Sequence, residues 1–359
     1  MAKVLVSAES FPPGEYLRDE LEERGWTGKE FAEILGRPVQ AVSEILNGRK
    51  QILPDTAIAF AEALGTSAEL WVNLQTAFDL NEAKCRRPAK TEVTRRARLR
   101  SLVPVAELRK RGWLPDTNDV DRLEKAALKL LGTNGLEDVP PFALAARRSN
   151  LGVAFTPQQI AWLAQFRQLA SGCKVPPFDA NKTSVLAADL VHRIHDPTEL
   201  RQLEDWLAEC GVVLVTLLPL KSSKLDGAAM MLDDATPAIG LTSRGDRLDG
   251  YVFTLLHELA HLLLGHLGSQ GVRADEDLIS STEFTGQEAE ANQQASQWIF
   301  PEDPDVPEGR PPMSIVLQIA GRCRVHPSLV IGRVQWQRED WGYLRRSIPR
   351  VRPYIKVAS

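Results

Sequence analysis

The sequence is poor in several residue types, and each scarcity excludes a class of protein. It has four cysteines in 359 residues, widely spaced and without a CxxC pair, which argues against both a disulfide framework and a cysteine zinc site. No apolar run reaches the length of a membrane span, and residues 1–10 lack the apolar core of a signal peptide. The net charge of −4 means that any binding of nucleic acid must come from a local basic patch. We therefore expect a cytoplasmic protein that does not contact a membrane.

Histidine is also scarce, yet three of the six histidines fall within residues 257–266. The stretch LLHELAHLLLGH reads as an apolar helix interrupted by a few polar residues. His257 and His261 are four apart and share a helix face, so they can bind one metal ion, while Glu258 beside them can act as the general base. This HExxH pattern predicts a zinc hydrolase. The alternative is a buried helix that carries these residues by chance, although each buried polar group would then need a partner that is not obvious locally.

A third ligand is expected from the stretch GQEAEAN at 286–292, which predicts the start of a second helix. Glu288 and Asn292 share a face, so Glu288 can complete a Zn²⁺ site while the amide of Asn292 hydrogen-bonds a ligand imidazole. Glu290 competes for the third position from another side of the helix. A solvated acidic face is the alternative for both carboxylates. The shared face favours Glu288 over Glu290.

The N-terminal region predicts short amphipathic helices, among them a pair joined by a tight turn at Gly36. Thr27 is a suitable N-cap for a helix over 28–35, and a second helix over 39–46 is followed by Asn-Gly-Arg-Lys. This is the helix-turn-helix pattern, in which the second helix enters the major groove of DNA. A plain helical bundle with a polar face is the alternative. The predicted DNA contacts are Arg37, Gln40, Ser43, Asn47, Arg49 and Lys50.

This region resembles the Xre-type helix-turn-helix domain of HigA-like antitoxins. The matching residues include Pro13-Gly14, the run SEILNG at 43–48, ALGT at 63–66 and the tryptophan of WVNLQ at 71–75. The resemblance implies a dimeric repressor that binds double-stranded operator DNA. Gly28 and Pro38 depart from the family pattern, and each departure removes a candidate phosphate contact.

The segment 86–199 contains no motif and predicts a basic linker followed by a helical scaffold. Lysines and arginines crowd residues 84–100, which indicates either a solvated linker or an arm that follows the DNA backbone. The remainder has helical spacing interrupted by turns. We expect it to set one domain against the other.

The C-terminal region, 200–359, predicts three strands at 211–218, 226–232 and 238–241 that lead into the HELAH helix. This order, followed by ExxxN at 288–292, resembles the ImmA/IrrE family of zinc metallopeptidases. The resemblance implies a zincin-like, gluzincin-type endopeptidase in which His257, His261 and Glu288 hold Zn²⁺ and Glu258 is the catalytic base. It also implies cleavage of a protein partner such as a repressor. Tyr251 and His266 are candidate donors to the oxyanion, and the acidic stretch 271–285 is a candidate rim of the cleft.

The fold class expected is therefore mostly α with a small β-sheet (α+β), in domains 1–85, 86–199 and 200–359. The function expected is a homodimeric, DNA-binding transcriptional regulator fused to a zinc endopeptidase that cleaves a repressor or a toxin–antitoxin partner. One alternative is a HigA-like antitoxin or autorepressor whose metal domain is a sensor or interaction module. Another is an antitoxin half that binds a toxin encoded nearby. Self-cleavage in the basic segment remains open.

Overall fold

The computed structural model describes residues 11–86, 91–140, 155–232, 235–267, 272–276 and 286–358, with the backbone alone for 272–276. These residues are mostly helical and carry one small sheet, which confirms the predicted fold class. The chain divides into two compact units, Met1–Thr91 and Glu92–Ser359. The structure thus has one division where the sequence analysis placed two, and residues 92–199 belong to the unit that carries the HELAH motif.

The N-terminal unit is built from short helices separated by glycine turns. Thr27 and Glu30 form a capping box at the start of the second helix, where Oγ1 of Thr27 accepts from N of Glu30 at 3.2 Å and the Glu30 carboxylate accepts from N of Thr27 at 2.7 Å. Gly25 and Gly65 end two helices in the left-handed conformation that glycine adopts without strain. The described helices are α1 Pro13–Arg24, α2 Gly28–Ile34, α3 Val39–Leu46, α4 Pro54–Leu64 and α5 Ala68–Arg86.

Three aromatic rings form the centre of this unit. Phe31 of α2, Phe60 of α4 and Trp71 of α5 are almost fully buried, and the Phe60 ring lies 5.2 Å from that of Phe31 and 5.3 Å from that of Trp71. Such contacts add to the free energy gained from burying apolar area. Gly14 lets α1 approach the end of α3, since a Cβ there would lie 2.9 Å from the carbonyl oxygen of Leu46. The predicted helix pair α2–α3 therefore rests on one compact apolar core.

The C-terminal unit combines helices with all the strands of the described chain. Two short 3₁₀ segments, Pro197–Gln202 and Arg345–Ser347, accompany them. Its helices are α6 Glu92–Leu102, α7 Val105–Lys110, α8 Val120–Leu131, α9 Pro157–Ala170, α10 Ala180–Arg193, α11 Leu203–Glu209, α12 Leu248–Leu263, α13 Gly286–Ile299, α14 Met313–Cys323 and α15 Pro327–Arg338. Its strands are β1 Val213–Leu217, β2 Leu225–Met231, β3 Pro237–Thr242, β4 Val272–Glu276 and β5 Val357–Ala358.

The five strands form one mixed sheet in the order β4-β2-β3-β1-β5. β1 runs parallel to β3 and β5, whereas β2 runs antiparallel to β3 and β4. All five residues of β1 and all six of β3 are buried, as expected of strands covered on both faces. The three strands predicted from the sequence are confirmed, and β4 and β5 extend the sheet at its two edges.

Helices cover both faces of this sheet, so the unit has three layers. On one face, Val213 and Val215 of β1 pack in a core with residues of α8 and α9, including Trp162. On the other face, Leu214 of β1 packs in a core that α12 shares with α10 and α15. The middle segment was predicted to be a scaffold between domains. Its helices α8 and α9 instead form a layer of the C-terminal unit.

The most deeply buried helix is α12, which carries the HELAH motif. It packs on β2 and β3 and contacts α10, α13 and α15. Leu255, Leu256 and Leu259 are all 0% exposed. Its apolar composition thus reflects burial within a protein core, and within the described residues no helix is both long and apolar enough to cross a membrane.

Two predicted segments fall partly outside the described residues. Of the basic segment 84–100, residues 87–90 are not described, residues 84–86 end α5 and residues 92–100 lie in α6. Arg95 of α6 pairs with Asp121 and Glu124 of α8 at 2.5 and 2.6 Å, which favours a structural role over an arm on DNA. Of the predicted rim 271–285, only the backbone of β4 is described.

Candidate metal centre and recognition surface

Helix α12 brings His257 and His261 together deep inside the C-terminal unit. The two imidazoles lie one turn apart, and their Nε2 atoms are 2.9 Å from each other. Both residues are 0% exposed. Two imidazole nitrogens that converge in an apolar core form a preorganised pair of metal ligands, because helix geometry and packing hold both rings.

Helix α13 supplies the third donor of the cluster. Oε2 of Glu288 lies 3.4 Å from Nε2 of His257 and 3.4 Å from Nε2 of His261. One ligand atom from each of the three residues lies within 4.8 Å of the other two. Two imidazoles and one carboxylate are a donor set used by catalytic zinc sites, so the residues present fit Zn²⁺. Of the two carboxylates left open by the sequence, it is Glu288 that joins the histidines.

The charge state of Glu288 is suited to a metal ligand. Burial raises the pKa of the Glu288 carboxyl, but hydrogen bonds and charge interactions with His257 and His261 outweigh burial and hold the pKa well below its ordinary value. Glu288 is therefore a carboxylate at neutral pH, the form in which it binds a cation.

Glu258 lies beside the ligands in a space that a glycine provides. It follows His257 on α12 and is 0% exposed. A Cβ at Gly227 of β2 would lie 2.7 Å from Cγ2 of Thr254 and would overlap Oε1 of Glu258. The absence of a side chain at 227 thus allows the Glu258 carboxylate to lie against the sheet.

A histidine and a glutamate form a series of hydrogen bonds that ends on Nδ1 of His261, the ring nitrogen that does not face His257. Nδ1 of His261 hydrogen-bonds Nδ1 of His266 at 2.9 Å, and Nε2 of His266 hydrogen-bonds Oε2 of Glu290 at 3.1 Å. A metal on Nε2 of His261 requires the proton on Nδ1, so His261 donates to His266 and His266 donates to Glu290. Glu290, weighed above as a ligand, is thus a partner of His266. Neither role was predicted, because the turn after α12 brings His266 back to His261 and nothing in the spacing signals it.

Asn292 and the two candidate oxyanion donors are the remaining predicted residues of this centre. Among the described residues, the amide atoms of Asn292 are buried and form no hydrogen bond, so its support of a ligand imidazole stays a prediction. The hydroxyl of Tyr251 hydrogen-bonds Oγ1 of Thr216 at 2.7 Å, and burial raises its pKa well above the ordinary range. Tyr251 is therefore a core residue of the sheet face. His266, the other oxyanion candidate, is engaged behind His261.

The predicted recognition helix α3 has one buried and one polar face. Val42 and Ile45 are 1% and 4% exposed and join the core of the N-terminal unit. Five of the six predicted DNA contacts are exposed. These are Gln40, Ser43, Asn47, Arg49 and Lys50. Asn47 donates to the carbonyl oxygen of Ser43 at 2.7 Å, and Gln40 donates to Oε1 of Glu44 at 3.2 Å.

Arg37, the sixth predicted contact, is half-buried. Its guanidinium donates to Oγ1 of Thr56 at 2.8 Å and to the carbonyl oxygen of Asp55 at 3.4 Å. These bonds tie the turn before α3 to the start of α4. Arg37 therefore has a structural role, which its position next to the recognition helix does not reveal.

Comparison with known proteins matches the N-terminal region. A family model described as helix-turn-helix matches residues 17–71. The protein named Antitoxin HigA-1 of Vibrio cholerae is 42% identical over 74 residues, which cover 20% of this chain and 70% of that protein. The HTH-type transcriptional regulator YddM of Escherichia coli is 32% identical over 72 residues, 20% of this chain and 77% of that protein. A solved antidote protein of a HigA family from Coxiella burnetii is 38% identical, with 21% of this chain and 84% of that chain covered and a TM-score of 0.21.

The matched stretch of the family model ends at residue 71, far ahead of the cluster of His257, His261 and Glu288. Within it lie the capped helix α2 and the helix α3. Through this N-terminal region the chain belongs to the helix-turn-helix family, and Antitoxin HigA-1 is one of the proteins to which the region is similar.

Proposed function

We propose that the chain is a cytoplasmic, DNA-binding transcriptional regulator whose C-terminal unit is a zinc-dependent endopeptidase acting on a protein partner. The observation that carries the enzymatic part is the convergence of two buried imidazoles, His257 and His261, with the half-buried carboxylate of Glu288 to within 4.8 Å. The partner class is a repressor or a member of a toxin–antitoxin pair. The resemblance of the HELAH and ExxxN segments to ImmA/IrrE peptidases agrees with this assignment.

Each polar residue of the centre has a separate role in peptide hydrolysis. His257, His261 and Glu288 would hold Zn²⁺, which supplies Lewis acidity toward the scissile carbonyl and toward a water. Glu258 accepts the proton of the attacking water and delivers it to the leaving amine. Its burial beside His257 supports that role, because a carboxylate in a site that excludes solvent transfers protons to a bound substrate without competition from bulk water. His266 and Glu290 orient His261 and take no direct part in the reaction.

The N-terminal unit is proposed to bind double-stranded operator DNA as a homodimer. The family assignment and the exposed polar side chains of α3 support this. Gln40 has the amide that pairs with adenine in the major groove, while Asn47, Arg49 and Lys50 follow α3 where phosphates lie in helix-turn-helix complexes. The relative named as an antitoxin makes an operator that controls a toxin–antitoxin pair the first to test.

The decisive experiment measures metal content in four proteins purified in parallel: the wild type, His257→Ala, Glu258→Gln and a control. We expect about one zinc per chain in the wild type and in Glu258→Gln, and little in His257→Ala, because only the last change removes a ligand. His195→Ala, which changes an exposed histidine, is the control and should keep its zinc. Absence of zinc from the wild type after reconstitution would contradict the peptidase proposal.

A second candidate function is a HigA-like autorepressor whose metal unit is a sensor or interaction module without peptidase activity. The 42% identity to an antitoxin is the observation that favours it. The two candidate functions predict different results for the Glu258→Gln variant. The zinc-loaded wild type should cleave a co-expressed repressor or antitoxin and Glu258→Gln should not, whereas a sensor would give identical repression and no cleavage with either protein.

A further inference from the structure

A large aromatic cavity opens next to the metal cluster. It has a volume of about 540 Å³ and lies among α12, α13, α15 and the chain after α15. Four aromatic side chains line it: Phe253, Phe300, Trp336 and Trp341. Trp336 is 39% exposed, which is unusual for an aromatic residue that serves only as core. Cavities of this size and apolar character are typical of ligand sites.

The cavity adjoins the proposed catalytic centre through residues that neighbour the ligands on α12 and α13. Phe253 lies one turn before His257 on α12, and the centroids of the two rings are 6.3 Å apart. Ala289, which also lines the cavity, directly follows Glu288 on α13. The same two helices therefore present the metal ligands at one point and the cavity wall one turn away. A molecule bound at the metal would extend into this space.

The polar groups of the cavity wall suit a peptide. The guanidinium carbon of Arg333 lies 5.6 Å from the centroid of the Trp336 ring, and its Nε makes no hydrogen bond within the described residues. Asp249, which also lines the cavity, is already paired with Arg247 at 3.0 Å. Arg333 thus places a guanidinium cation beside an apolar wall, a combination that suits the carbonyl oxygens that flank an apolar side chain in a peptide.

We propose that this cavity is the specificity pocket of the peptidase and that it receives a large apolar side chain, aliphatic or aromatic, of the residue beside the cleaved bond. This inference rests on the proposed peptidase function and adds the class of substrate. The protein cleaves next to leucine, phenylalanine and similar residues and discriminates against alanine and glycine, because a small side chain leaves the aromatic walls in contact with water.

The test is equilibrium binding of three hydroxamates to the zinc-loaded full chain, measured by isothermal titration calorimetry. The hydroxamates carry a methyl, an isobutyl or a benzyl side chain next to the zinc-binding group. We expect the isobutyl and benzyl compounds to bind at least about tenfold more tightly than the methyl compound, in line with the discrimination that apolar pockets achieve. Zinc content is measured on every sample.

Matched variants assign the preference to the cavity. Ser296→Trp places a large side chain in the cavity and should remove the preference, whereas Gln294→Trp makes the same change on α13 outside the cavity and should keep it. Trp336→Ala, at an exposed position, removes one wall without filling the space and should weaken binding of the benzyl compound severalfold while leaving the methyl compound unchanged.

The outcomes separate this inference from the function on which it rests. Zinc-loaded protein that binds all three compounds equally or none of them, or a benzyl preference that survives in Ser296→Trp, overturns the pocket and leaves the metal centre standing. Binding of the benzyl compound without zinc identifies a site for a free ligand and also overturns the pocket. A wild type without zinc overturns both proposals.

Discussion

The two units of this chain place their functional side chains in opposite environments. In the N-terminal unit an apolar core supports an exposed polar surface, and the proposed DNA contacts Gln40, Asn47 and Lys50 lie on that surface. In the C-terminal unit the proposed ligands His257 and His261 and the proposed base Glu258 are all 0% exposed. A surface residue can change without disturbing the fold, whereas a buried polar cluster is part of the packing that holds it. A substitution at the surface of the first unit should therefore change DNA binding without changing stability. In the second unit, substitutions at the buried cluster should change both stability and activity.

The largest expected effect comes from breaking the core of the N-terminal unit. Phe60→Ala removes a ring that is 0% exposed, at an expected cost of about 3–5 kcal/mol in the free energy of unfolding. Operator binding should be lost in a gel-shift assay while zinc content stays at the wild-type value. Ile58→Ala, at a position 50% exposed on the same helix, should change neither. Loss of zinc in Phe60→Ala would show that the units do not fold independently.

Coupling of packing and chemistry in the C-terminal unit is tested by adding one methyl group. Gly227→Ala forces a Cβ against Glu258 and Thr254, and we expect it to cost about 1–3 kcal/mol in urea denaturation and to abolish peptide hydrolysis. Gly321→Ala adds the same methyl group on α14, where no atom beyond the adjacent residues and the helix's own backbone lies within 4 Å, and should be neutral or stabilise by up to about 1 kcal/mol. Equal effects of the two changes would refute the close approach of Glu258 to β2.

The support of His261 from behind is expected to tune affinity for zinc. His266→Ala removes both hydrogen bonds of the series His261–His266–Glu290, whereas Glu290→Gln replaces the charged acceptor of the outer bond by a neutral amide oxygen. Zinc binding measured by chelator competition should weaken about 10–100-fold. His195→Ala should bind zinc as the wild type does. Unchanged affinity in both variants would mean that α12 alone holds the imidazole in place.

The smallest effects distinguish two basic residues of the N-terminal unit. Arg37→Ala loses the hydrogen bond to Thr56 and should lower the free energy of unfolding by about 0.5–1.5 kcal/mol. Lys50→Ala, at an exposed position, should stay within about 0.5 kcal/mol of the wild type and reduce the slope of log affinity for DNA against log salt by about 1. A reduced salt slope in Arg37→Ala without loss of stability would restore Arg37 as a DNA contact.

Local patterns predicted much of both units. The helices expected over 28–35 and 39–46 are confirmed as Gly28–Ile34 and Val39–Leu46, because caps and glycine turns act over a few residues. The pairing of His257 with His261 follows from the helix period alone. The role of α8 and α9 as a layer on the sheet was missed. An amphipathic pattern shows which face of a helix is apolar, but it does not indicate the surface on which that face packs.

The sequence by itself determined which residues have the right chemistry and which of them share a helix face. Only the tertiary structure decided which chemistry is assembled, because contacts between helices depend on packing across long stretches of chain. It brought Glu288 rather than Glu290 to the two histidines, and it placed Glu290 on His266 behind them. It withdrew Arg37 into contact with Thr56, and it opened an aromatic cavity one turn from His257. Periodicity governs neighbours within one element, whereas the choice among neighbours from different elements belongs to the packed core.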